Sequence, residues 1–283
     1  MGGVPTFYDA ALLAWAVAAV WIVWRRRLWD LRAHAPGTSP VPPTFFFLLG
    51  ILSWVGGALA GGVAASMFAT GGVGGAGETD LGMMALAGGA SQLGSIAVAS
   101  VALSQRRELI ARGTGIGARW ARGTFRRGLI AFALVTPIAL FVGAGAQWLG
   151  ELVARLSEMD PPGEIAHETL RLMSDPSMVS STGWWLMLLV VVVGAPIAEE
   201  LIYRGFIQNA IARAAGSQWV GILVTTGLFA AVHVGVAEWY ALIPLAALSI
   251  GMGLAYARTG VIWVPIVVHA IFNGMNVLMA VVG

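Results

Sequence analysis

Cysteine is absent from the 283 residues, which excludes a disulfide framework and any thiolate site. Charge is scarce as well. Charged residues make up 11% of the chain, against about 25% in soluble globular proteins. A surface so poor in charge could not stay in water. The net charge is only +2, too small for the electrostatic footprint of a nucleic-acid-binding protein. No positive charge precedes the first apolar run, Ala10–Trp24; Arg25, Arg26 and Arg27 follow it. That order excludes a secretory signal and predicts an uncleaved first span with its N-terminus outside. No repeat of fixed period is evident.

What fills the chain is apolar: 58% hydrophobic residues and 38 glycines. Gly is commoner in membrane helices than in soluble ones. Runs of about 20 apolar residues match the thickness of a bilayer core. The expected fold is all-α, a polytopic transmembrane helix bundle of about eight spans. These lie near 7–24, 44–70, 81–103, 129–149, 184–213, 218–237, 241–257 and 261–282. Residues 1–150 form an N-terminal four-helix region, 151–183 an extracytoplasmic loop, and 184–283 a C-terminal core. Pro161 and Pro162 break that loop, and 164–174 can form a short surface helix. The Gly-rich stretch 71–77 reads as a flexible turn. Gly57 and Gly61 form a small-xxx-small pair that lets helices approach closely.

Basic residues are mostly Arg and lie between the apolar runs. Arg25, Arg26, Arg27 and Arg32 fall in one loop. Arg106, Arg107, Arg112, Arg119, Arg122, Arg126 and Arg127 fall in another. The positive-inside rule makes both cytoplasmic. Glu78 and Asp80 mark one alternate loop; Glu151, Glu158, Asp160, Glu164, Glu168 and Asp175 mark the other. Arg213 and Arg258 then fall at cytoplasmic ends, and both termini face outside.

Ionisable side chains inside a span cost roughly 2.5–3.5 kcal/mol each on insertion scales. The first four apolar cores carry none. The fifth span contains Glu199, Glu200 and Arg204. Glu200 and Arg204 share a helix face and can pair. Glu199 points about 100° away, free for another partner. Pro196 opens the backbone just before them. The sixth span carries His233, and the eighth carries His269 and Asn273, with Asn276 three further on. Each feature also has a plain reading: an interfacial charge cluster, a core histidine, or interhelical hydrogen bonding. Their depth argues for one shared pocket. At 1.5 Å per residue, Glu199 and His233 both come out near mid-membrane.

The arrangement Glu199-Glu200-x-x-x-Arg204, then Phe229-x-x-x-His233, then His269-x-x-x-Asn273 resembles the CPBP family. That family comprises type 2 CAAX prenyl proteases and bacteriocin-processing or immunity proteins, also called Abi proteins. The resemblance covers about 184–282. It implies an intramembrane endopeptidase of a bacterial or archaeal cell membrane. Its partner would be a membrane peptide or a prenylated or lipidated protein.

Peptide hydrolysis needs an activated water and a stabilised oxyanion. Glu199 is the candidate base, with His233 holding the same water. His269 and Asn273 are the candidate oxyanion donors. Metal-free chemistry is the expectation. The rival is zinc, held by Glu199, His233 and His269, because two imidazoles and a carboxylate form a known catalytic set. No HExxH is present, so each ligand would have to come from a different helix. A membrane scaffold or immunity protein without catalysis is the other alternative.

Overall fold

The computed structural model describes residues 7–32, 34, 39–69, 78–105, 123–158 and 167–282. The turn 71–77, Arg106, Arg107, Arg112, Arg119, Arg122, Asp160, Pro161, Pro162 and Glu164 lie outside the described residues, as do the side chains of Glu78 and Asp80.

Among the described residues every regular element is a helix. We number them α1 (Phe7–Arg25), α2 (Pro43–Ala69), α3 (Glu78–Gln105), α4 (Thr124–Leu156), α5 (Glu168–Met173), α6 (Thr182–Ala215), α7 (Gln218–Ala231), α8 (Leu242–Thr259) and α9 (Trp263–Val282). Six of these, α2, α3, α4, α6, α8 and α9, are long and apolar enough to cross a membrane. Two apolar helices are shorter, Ala10–Arg25 and Gln218–Ala231. Large apolar side chains cover the outside: Trp24, Leu59, Leu93, Trp148, Leu189 and Val282 are all exposed. Water would not tolerate that surface, whereas lipid requires it. The chain is an integral membrane protein.

Helix α7 differs from the sequence reading. Its 14 residues rise only about 21 Å, short of the roughly 30 Å of a hydrocarbon core. It stops at Ala231, and 232–238 turn back before α8. His233 therefore sits in a turn just past the helix end, not within a span. Irregular backbone at that depth is tolerable only where it lines a cavity or is buried in protein. The short helix foreseen at 164–174 is found as Glu168–Met173.

The helices pack through small residues. Helices α2 and α3 cross closely, and a Cβ at Gly57 would fall on Ser95 Oγ and 2.6 Å from the Ser91 carbonyl oxygen. The Ser95 hydroxyl could rotate away, but the Ser91 carbonyl cannot yield without moving backbone. Gly57→Ala is expected to lower stability by about 1–3 kcal/mol, the usual effect of overpacking. The readout is thermal unfolding in detergent. Gly62→Ala, where a Cβ meets nothing within 4 Å, is the matched control and should not lower the midpoint.

Two arginines gather the basic end of the bundle. Arg213, at the end of α6, donates to the carbonyls of Ser39 (3.0 Å) and Val41 (2.6 Å). Arg258, near the end of α8, donates to those of Leu28 (3.1 Å) and Asp30 (3.2 Å). Both helix ends thus lie beside the Arg-rich segment 25–43, as the loop charges require.

The core that carries the site joins both halves of the chain. Ala139 of α4, Leu248 and Met252 of α8, and Val268 of α9 form one buried cluster. Helix α6 runs through the centre, and Glu199 lies 17 residues from its start, roughly 25 Å along the axis.

Candidate active site

The local backbone of α6 is unusual, and its sequence explains why. Two π-helical stretches, Val190–Gly194 and Leu201–Gln208, flank the Glu199–Glu200 pair. Such widened turns occur frequently at functional sites. In the first stretch the Ala195 N–H reaches back to the Val190 carbonyl. Continuing that register, Val191 would bond residue 196, but Pro196 has no N–H. Asn273 of α9 supplies the missing donor, Nδ2 to Val191 O at 2.9 Å. Gln92 of α3 donates to Val190 O at 3.2 Å. It can come so near because Gly194 has no side chain: a Cβ there would overlap the Gln92 amide. Two neighbouring helices thus pin the segment that presents the carboxylates.

Glu200 and Arg204 are both wholly buried and paired at 2.8 Å, as their four-residue spacing foretells. Arg204 also donates to Ser249 Oγ (2.8 Å) and Ser249 O (3.2 Å) on α8. Thr226 Oγ1 of α7 lies 3.1 Å from the same hydroxyl. The guanidinium stacks 5.0 Å above the Phe229 ring. A buried ion pair needs such extra partners to offset its desolvation. Ser249 and Thr226 were invisible to sequence reading, because a hydroxyl in an apolar span is commonplace.

Phe229 explains its own place in the second motif. Its ring is buried between Arg204, Tyr203 (5.2 Å) and His233 (4.7 Å). Its carbonyl oxygen accepts from His233 Nδ1 at 2.7 Å. A carbonyl only accepts, so the His233 ring proton sits on Nδ1 and Nε2 offers a lone pair. His269 is held likewise. Its Nδ1 lies 2.9 Å from Glu200 Oε1, which already accepts from Arg204, so Nδ1 donates. His269 Nε2 then faces Glu199 Oε2 at 4.0 Å. In a neutral ring Nε2 is then an acceptor, and only the doubly protonated ring could also serve the oxyanion expected of His269.

Glu199, unlike Glu200, is partly exposed, its side chain 30% accessible. The exposure is to a cavity of about 710 Å³. Glu199, Phe229, His233, His269 and Asn273 all line it, as does Asn276. Glu200 and Arg204 do not; they stand behind the cavity wall. Met84, Gly88 and Gln92 of α3 also line it, so the N-terminal region contributes a wall. So does His167, which the sequence analysis did not single out.

The arrangement is one carboxylate and two imidazole lone pairs facing a hollow, backed by a buried ion pair. Two such acceptors can hold a water through its two protons and polarise it. All three groups are also zinc-ligand types, yet among the described residues no three His, Asp or Glu side chains come together as an ion site.

Comparison with known proteins points to the same segment. Residues 181–275 match the family model described as type II CAAX prenyl endopeptidase, Rce1-like. Over 94 residues the chain is 34% identical to the "Putative membrane peptidase YdiL" of Bacillus subtilis (strain 168), covering 33% of this chain and 37% of that protein. An "Uncharacterized 24.3 kDa protein" of Escherichia coli is 31% identical over 85 residues, covering 30% of this chain and 39% of its own length. The chain thus spans a little over a third of the curated relatives it matches. No solved structure matches.

Proposed function

We propose, from the match of residues 181–275 to the Rce1-like type II CAAX prenyl endopeptidase family, that the chain hydrolyses a peptide bond within the membrane. The observation carrying this is the convergence of Glu199, His233 and His269, from three separate elements, on one cavity.

A water held by the Glu199 carboxylate and the His233 Nε2 lone pair is the nucleophile. Its oxygen attacks the peptide carbonyl carbon as Glu199 takes a proton. The C–N bond then breaks, and that proton passes to the leaving nitrogen. General base catalysis of this kind contributes about 10²–10⁴-fold. His269 Nε2, 4.0 Å from Glu199, is a further acceptor beside the water. Asn273 keeps one amide N–H beyond its bond to Val191, and that donor suits the developing oxyanion. Glu200 and Arg204 touch no substrate. They orient His269 and fix α6 against α8. The mechanism requires no metal.

The substrate is a membrane-associated or lipidated, CAAX-like peptide. Supporting this, the cavity is mostly apolar, walled by Met187, Val190, Leu245, Leu248, Phe272 and Met279. Such a wall accepts a hydrocarbon chain while the polar groups meet the peptide.

The test compares membrane peptides from cells bearing the wild-type chain with those bearing His233→Ala or His269→Ala. A set of membrane peptides or lipidated termini is expected to stay uncut in both variants, while insertion is normal. EDTA should leave cleavage by purified protein unchanged. Identical peptide profiles, with the biological role intact, would instead favour a non-catalytic scaffold or immunity protein.

A further inference from the structure

One histidine lining the cavity has no part in the chemistry above. His167 immediately precedes α5 and is only half-buried. Its backbone forms an antiparallel bridge with Ala237. The Glu168 N–H donates to Val236 O at 3.4 Å. The same turn is fastened to His233, whose carbonyl accepts from the N–H groups of Val236 (3.2 Å) and Ala237 (3.0 Å). The short strap is thereby tied to the turn that carries a site histidine.

The tautomer of His167 is opposite to that of its neighbours. Its Nδ1 accepts from the Thr169 N–H at 3.3 Å. An amide N–H only donates, so the proton of the neutral ring sits on Nε2. Burial, and after it the nearby His233, hold its pKa below the usual histidine value, against a smaller opposite pull from Glu168. The ring is thus neutral at pH 7 and presents an N–H.

Such a group adds to a small set of donors lining the cavity, where Asn273 and Asn276 each keep one amide N–H. Glu199, His233 Nε2 and His269 Nε2 all accept. Asn273 and Asn276 have each given one amide N–H to a carbonyl, Val191 O and Phe272 O. A tetrahedral intermediate places full negative charge on oxygen, and preorganised donors aimed at it are the largest usual source of rate. His167 supplies a donor beside His233, where the attacking water is held.

We propose that His167 Nε2–H is a catalytic hydrogen-bond donor to the carbonyl oxygen of the scissile peptide, delivered by a strap from outside the transmembrane core. This rests on the endopeptidase reading.

Two measurements test it. The first needs no turnover: ¹⁵N resonances of histidine-labelled protein, with only four histidines to assign. His167 is expected as the Nε2–H tautomer, and His233 and His269 as Nδ1–H. An Nδ1–H tautomer at His167 overturns the proposal. The second uses a farnesylated peptide ending in Cys-aliphatic-aliphatic-X, with a fluorophore and quencher across the bond, in proteoliposomes. His167→Leu should lower kcat about 100-fold, with KM within about twofold. His167→Gln, which keeps an N–H donor, should recover most of that loss. Full kcat in folded His167→Leu, or no rescue by His167→Gln, sinks the donor role alone. Absence of cleavage by the wild-type protein sinks the endopeptidase reading itself, and the donor role with it.

Discussion

Glu199→Gln abolishes cleavage, by about 10⁴-fold or more, while the protein inserts, folds and melts like the wild type. The size follows from the two tasks the carboxylate performs. It takes a proton from the water and later returns one to the leaving nitrogen, each step worth about 10²–10⁴-fold. An amide of the same shape can hold the water but cannot accept its proton. Stability should be nearly unaffected, because Glu199 is partly exposed to the cavity and its ion-pair contact, with His269, is as long as 4.0 Å. Turnover of the farnesylated peptide and thermal unfolding, measured on one preparation, check both halves. Substantial turnover in Glu199→Gln would remove the proposed base.

Arg204→Ala has the opposite signature: the protein fails through stability before catalysis can be asked about. Arg204 is wholly buried and donates to Glu200, Ser249 Oγ and Ser249 O. Removing it leaves the buried Glu200 carboxyl in an apolar interior with only His269 to bond. Breaking a buried pair from one side typically costs about 3–5 kcal/mol. Little folded protein should survive extraction, judged by gel filtration and by unfolding temperature. Replacing both partners separates charge from packing. Glu200→Gln with Arg204→Met keeps an oxygen acceptor for His269 Nδ1 and fills the arginine's space. This double variant should regain most of the stability, since apolar replacement of a buried pair is often neutral. If Arg204→Ala melts within about 1 kcal/mol of wild type, the pair is not structurally required.

These two variants divide the Glu-Glu-x-x-x-Arg motif by function. The first carboxylate faces the cavity and acts; the second faces protein and holds. Sequence spacing already separated them, because adjacent residues on a helix diverge by about 100°. It also gave the Glu200–Arg204 pair correctly, since that interaction lies within one helix and needs no knowledge of neighbours. The contacts it could not give run between elements. Asn273 bonds the carbonyl of Val191, 82 residues away. His269 bonds Glu200 across 69 residues. The second of these bonds places a His269 proton on Nδ1, toward Glu200. His167 was missed because a histidine in an irregular connector carries no periodicity. The early end of α7 was missed because Val232–His233–Val234 reads as a continued apolar run.

Left to itself, the order of residues determined the membrane class, the helical runs and the ion pair inside α6, all of which follow from hydrophobicity and local spacing. Which lone pair or proton each imidazole turns toward the cavity was decided only by tertiary structure. A histidine's tautomer is fixed by whatever bonds its other nitrogen, and here that partner is a carbonyl, a distant carboxylate or a strap amide brought into place by the fold.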